Sequence, residues 1–208
     1  MDGAGFELPR ACRAEKLAGI GMPQLMAVGR NHPRRAELEA FIAERYRTAY
    51  GARVRRFMPQ LFALLGADGE LEAAAGLRRG DERPLFVEQY LDAPVESLLA
   101  ARFNRDVDRE RVCEIGHLCG TGHGIGRRLF PLLACWMHEH AIEWAVFAAT
   151  STLRQMFERM QVRPLPLAPA SGERLGAAMA DWGSYYETDP WVVGGPLQLG
   201  QRLMEPRR

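Results

Sequence analysis

No stretch of this sequence holds the roughly 18 uncharged apolar residues that a membrane-spanning helix needs. The first 21 residues carry Asp2, Glu7, Arg10, Arg13, Glu15 and Lys16, which leaves no apolar core for a signal peptide. Both absences predict a protein that stays in the cytoplasm, with no transmembrane segment. Charge of one sign is lacking too: 27 basic residues face 26 acidic ones, for a formal net charge of +1. Without a global field, no nucleic-acid partner is expected. CxxC and HExxH are absent, and His138 and His140 would stand about 200° apart around a helix, so no metal site is expected. The four cysteines, Cys12, Cys113, Cys119 and Cys135, read as reduced thiols, three of them inside apolar segments.

What is present suits one globular domain. Hydrophobic residues make up 47% and charged residues 25% of 208, enough apolar surface for a real core. Residues 1–22 read as a loose arm and 23–208 as a single domain. Leu25 to Val28 predicts a first strand. Leu38, Phe41 and Ile42 at helical spacing predict a helix over Arg34–Tyr50, stopped by Gly51. Gln60–Leu65 and Leu71–Leu77 flank a glycine-rich turn and predict a hairpin. A short helix after Pro94, a strand over Val112–Cys119 and a helix over Ile125–His140, kinked at Pro131, follow. Trp144–Ala149 reads as a strand, and Ser151 stands where a cap for the next helix belongs. Leu165–Leu167, between two prolines, fits an edge strand. A helical stretch over Gly172–Trp182 and a strand over Trp191–Val193 end the series. The order predicts an α/β fold whose central sheet is antiparallel at first and parallel later.

The informative feature lies between the strand at 112 and the helix at 125. Glycines occupy 116, 120, 122, 124 and 126. Bare backbone there turns N–H groups toward one point, and a helix N-terminus adds unpaired donors with a partial positive charge. A phosphate ligand suits that arrangement. No lysine follows the glycines as a Walker loop requires, and GxGxxG fails in every register. Thr121-x-x-Gly124-x-Gly126 instead resembles the (Gln/Arg)xxGxGly/Ala pyrophosphate turn of the GNAT acyltransferases. That resemblance implies acyl-CoA, or an acyl-carrier protein (acyl-ACP), as donor. It implies a cradle built from Leu118, Cys119, Thr121, Gly122, His123, Gly124, Ile125, Gly126 and Arg127. Downstream, Phe157 and Gln161-Val162 stand where such proteins carry a thiolate-protonating tyrosine followed by Gly-Phe.

Four blocks together resemble the thermostable hemolysin family: Phe86 to Leu91, Cys113 to Leu118, Trp144 to Thr150, and Trp182 to Tyr186 followed by Pro190. The family is GNAT-like and related to acyl-homoserine-lactone synthases. The resemblance implies a mixed sheet with a splayed, parallel C-terminal part and helices on both faces. His117 and Cys119 depart from the pattern Glu-(Ile/Val)-Gly-Asn-Leu-Ala. The family name implies lysis, whereas the fold implies acyl transfer.

Amine attack on a thioester needs a base, a polar environment for the carbonyl and an acid for the departing thiolate. Glu114, alone among apolar residues of a strand, is one candidate base, and His117 is its rival. Strict alternation puts the two on opposite faces, and a bulge at Gly116 would bring them together. Tyr185, with Tyr186 beside it, is the candidate acid. Glu88, Gln89, Thr150 and Tyr186 are candidate contacts to a small-molecule amine acceptor. The alternatives to an N-acyltransferase are a protein that binds CoA or lipid without turnover, and a lytic protein. Oligomeric state has no signature in the sequence.

Overall fold

Continuous apolar runs such as Leu61–Leu65 and Trp144–Ala149 make both faces of a sheet apolar here, so helices must cover each. The computed structural model describes residues 24–82, 84–122 and 124–198; the expected arm, Cys12 and His123 lie outside them. Seven strands form one sheet: β1 (Gln24–Val28), β2 (Gln60–Leu65), β3 (Leu71–Arg79), β4 (Val112–Gly120), β5 (Trp144–Ala149), β6 (Leu165–Pro169) and β7 (Trp191–Pro196). Their order is β1-β2-β3-β4-β5-β7-β6. The α-helices are α1 (Arg35–Tyr50), α2 (Val95–Phe103), α3 (Ile125–Glu139) and α4 (Ser151–Arg159).

On one face Phe62, Leu64, Ala75, Leu77 and Ile115 pack against Leu129 and Leu133 of α3 and Phe157 of α4. On the other, Leu61, Ala63 and Ala74 meet Leu38, Ile42 and Tyr46 of α1. Each leucine, isoleucine or phenylalanine among them, fully buried, contributes about 1.5–3 kcal/mol. Gly51 ends α1 as expected, and does so in the left-handed conformation at φ 66°. α3 continues as one helix through Pro131.

The mixed sheet is as expected, but its parallel part is a single pair, β4 with β5. β7 inserts between β5 and β6 and runs antiparallel to both. β4 and β5 pair only over Val112–Glu114 and Trp144–Val146, although each strand runs on for several residues. Beyond Glu114 the two strands therefore part, and the gap between them opens the sheet. The proline-flanked β6 lies at the edge, as expected of it. The cap of α4 is Thr150, whose hydroxyl accepts from the Leu153 N–H at 3.3 Å, not Ser151. Cys113 and Cys119 are free thiols; Cys135 is not, so the expectation of reduced cysteines stands for those two.

Candidate active site

The gap between β4 and β5 continues into a cavity of about 920 Å³. β4 supplies its floor, and the segments 52–58, 84–90 and 175–185 its walls. The N-terminus of α3 closes one end. Glu114, His117 and Tyr185 all line it, as do Gln89, Thr150, Leu118, Cys119, Gly122, Ile125 and Gly126.

A bulge brings Glu114 and His117 to one space. Gly116 pairs with Gly76 and Cys119 with Ala74, so β4 spends one extra residue against β3. His117 takes φ 53°, the left-handed region uncommon for a side-chain-bearing residue. The paired glycines make the room for this. A Cβ on Gly76 would stand 2.8 Å from the His117 ring, and one on Gly116 2.6 Å from Met58 Cε.

Glu114 is 2% exposed. Its Oε2 accepts from the Phe86 N–H at 2.7 Å and its Oε1 from the Val87 N–H at 3.0 Å. Burial pushes its carboxyl up to about 7; the Phe86 N–H, the Arg78 guanidinium and the Val87 N–H hold it from rising further. His117 shifts the other way. Burial lowers it to about 4, assisted by the charges of Arg78 and Arg35, and its Nε2 accepts the Met58 N–H at 3.1 Å. The imidazole is therefore neutral with its proton on Nδ1, and its basic nitrogen already has a partner. That bond holds the segment 52–58 over the cavity. Arg35 of α1 reinforces it by donating to the Met58 and Pro59 carbonyls.

Tyr46, Tyr50, Phe57, Phe86, Tyr90, Trp182 and Tyr185 make the far end an aromatic enclosure. Burial raises the Tyr185 hydroxyl well above the ordinary tyrosine range, so it keeps its proton. Tyr186 does not line the cavity; its hydroxyl lies 2.6 Å from that of Tyr90, which does. Glu88 is turned away as well. Its carboxylate binds Arg109 at 2.7 and 2.8 Å and takes the Leu85 and Val95 N–H groups, so it braces the 84–90 segment instead of facing an acceptor.

At the glycine turn the placement is divided. Gly122, Ile125 and Gly126 face the cavity, whereas Thr121, Gly124 and Arg127 do not line it. Thr121 is tied through both its N–H and its hydroxyl to the Glu72 carbonyl, so its side chain is spent on the neighbouring strand. Gly124 stands at φ 81° and starts α3. A Cβ on Gly126 would meet Met156 Sδ at 2.6 Å, so this glycine lets α3 and α4 close together.

Arg78 is the lining residue that sequence reasoning missed. The predicted strand ended at Leu77, whereas β3 runs to Arg79 and pairs Arg78 with Glu114 across the ladder. A second cavity, of about 70 Å³ and lined chiefly by apolar side chains, shares Ile115 and Phe130 with the first on the α3 side. Among the described residues no group of three or more His, Cys, Asp or Glu could hold a metal ion.

A family model described as thermostable hemolysin matches residues 28–201. No curated protein matches the chain. The AHL synthase LasI superposes with a TM-score of 0.58 at 11% identity, over 90% of this chain and all of its own. FeeM, an N-acyl amino acid synthase from uncultured soil microbes, gives 0.58 at 9%, over 85% of this chain and 92% of its own. BjaI, a CoA-dependent acyl-homoserine lactone synthase solved with SAM and isopentyl-CoA, gives 0.53 at 13%, over 89% and 92%. At such identities the likeness establishes a shared fold.

Proposed function

The chain belongs to the thermostable hemolysin family, and we propose that it is an N-acyltransferase moving an acyl group from acyl-CoA or an acyl-carrier protein to an amine. One observation carries the reading. A buried carboxyl held near neutral pH and a glycine turn before a helix line the same cavity, between strands that part.

In this reading the donor diphosphate meets the N-terminus of α3, where Gly122, Ile125 and Gly126 face the cavity. Its pantetheine arm runs through the gap between β4 and β5. The acyl tail extends toward Ile115 and Phe130, beyond which the small second cavity lies. Backbone N–H groups released from the ladder at the bulge orient the thioester carbonyl. Glu114 takes one proton from the acceptor amine as its nitrogen attacks the carbonyl carbon. The C–N bond forms, the C–S bond breaks, and the leaving thiolate takes a proton from Tyr185. The two side chains reset by exchanging that proton with solvent. His117, with its basic nitrogen in use, holds the 52–58 segment and is not the base.

Supporting the enzyme reading over simple CoA binding is the value of the Glu114 carboxyl, matched to proton transfer near pH 7. The lytic reading draws no support from the helices, none of which is long and apolar enough to cross a membrane among the described residues. The test is release of free thiol from acyl-CoAs of several chain lengths mixed with amines and amino acids. Release that needs both donor and acceptor is expected. Clear CoA binding with no release at any length would leave a binding protein in its place.

A further inference from the structure

The charged side chains lining the cavity are not equivalent. Arg53 and Arg55 are both bound by Asp181, at 2.9 and 2.7 Å, and Arg56 is exposed. Arg78 is different. It is half-buried and lines the cavity, and its charge acts on Glu114 across the strands, yet no carboxylate of the described residues lies within 4.0 Å of it. Among the described residues its guanidinium makes one hydrogen bond, a 3.5 Å contact to the Pro84 carbonyl. Glu114, its cross-strand neighbour, takes backbone donors instead. A guanidinium presents five donors in a planar fork that matches a carboxylate, and here the fork stands at the cavity wall with no carboxylate of the described residues to fill it.

The donor diphosphate does not fill this need. From Glu114 to Gly122 is eight residues, on the order of 25 Å along an extended strand. Arg78 lies at the Glu114 end, where Phe86, Tyr90 and Trp182 also face the cavity. Cross-strand neighbours stand about 5 Å apart at Cβ. One α-amino acid can therefore set its nitrogen at Glu114 and its carboxylate at Arg78.

We propose that Arg78 selects the acceptor by binding its carboxylate, so that the acceptor class is an amino acid with an apolar or aromatic side chain, in preference to a plain amine. This rests on the acyltransferase reading for its meaning, and its test does not depend on turnover.

Calorimetry with two product-like probes, N-hexanoyl-phenylalanine and N-hexanoyl-phenethylamine, isolates the carboxylate, since they differ in nothing else. The wild-type protein should bind the first at least tenfold more tightly. In Arg78→Met the gap should collapse through loss of affinity for the first probe alone, and Arg78→Lys should restore part of it. Equal affinities for the wild type, a gap that survives in Arg78→Met, or no measurable binding of either probe would each overturn the proposal. Should Arg78→Met not fold, the wild-type comparison and Arg78→Lys decide it. A gap without thiol release would retire the acyl transfer and keep the carboxylate site; thiol release without a gap would do the reverse.

Discussion

Glu114 and His117 stand three residues apart on β4, on either side of Gly116, and line one cavity, yet burial drives them in opposite directions. The carboxyl rises to about 7 and the imidazole falls to about 4. The cause is the same in both: loss of water disfavours whichever form is charged. What separates them is the partner. Glu114 accepts one N–H on each oxygen and keeps further lone pairs. His117 has one acceptor nitrogen and gives it to Met58. Burial alone would make both residues candidates; the count of free lone pairs leaves Glu114 able to take a proton and makes His117 a strut.

The largest test of that contrast is turnover. Glu114→Gln keeps the size and most of the packing but cannot accept a proton, so thiol release should fall by about 10²- to 10⁴-fold with donor affinity little changed. The wild-type rate should rise with pH through about 7, where the carboxyl loses its proton. His117→Gln should keep that pH profile while losing rate through a looser 52–58 segment. A profile that moved with His117 and not with Glu114 would reverse the assignment.

Stability against pH sharpens the comparison without any substrate. Glu114 is raised in the folded state, so its contribution is full below about pH 4.5 and is lost as pH climbs through 7. His117 is lowered, so its contribution is full above about 6.5 and is lost as pH falls through 4. Each swing amounts to roughly 3 kcal/mol. Between about pH 4.5 and 6.5 they oppose and nearly cancel. Urea unfolding of Glu114→Gln relative to wild type should then show the variant losing ground as pH is lowered across that window. His117→Gln should lose ground as pH is raised. Parallel curves for wild type and both variants would mean that neither group is held away from its ordinary value.

Much of this was legible in the sequence, because local pattern governed it. The bounds of β2 and β5, the course of α1 and the hairpin's turn follow from periodicity and turn residues, and the glycines at 116–126 flagged the strand-to-helix junction. The bulge was one of two readings the sequence left open: strict alternation separates positions 114 and 117, and a bulge at Gly116 joins them. The misreadings share a physical origin in partners distant along the chain. Glu88 looked available for a ligand because Arg109, 21 residues on, cannot be seen from position 88. Arg78 looked like the residue after a strand because its pairing with Glu114 spans a long connection. The antiparallel insertion of β7 is a matter of topology, which periodicity does not encode.

The smallest effects are expected within the glycine turn, where two neighbouring glycines divide the same contrast between space and conformation. A Cβ on either Gly122 or Gly124 would meet nothing within 4 Å, so crowding distinguishes neither. Only Gly124 has a positive φ, at 81°, and only Gly122 faces the cavity. Gly124→Ala should therefore cost about 1–2 kcal/mol through backbone strain. By re-aiming the first N–H groups of α3, it should also weaken CoA binding by about two- to fivefold, the worth of a helix N-terminus to an anion. Gly122→Ala should leave stability within about 0.5 kcal/mol, having no special backbone angle to lose. Thermal unfolding and CoA titration of the pair read both numbers. If Gly124→Ala lost stability but bound CoA like the wild type, the start of α3 would be a turn and nothing more, and the diphosphate would have to be held elsewhere on the cavity wall.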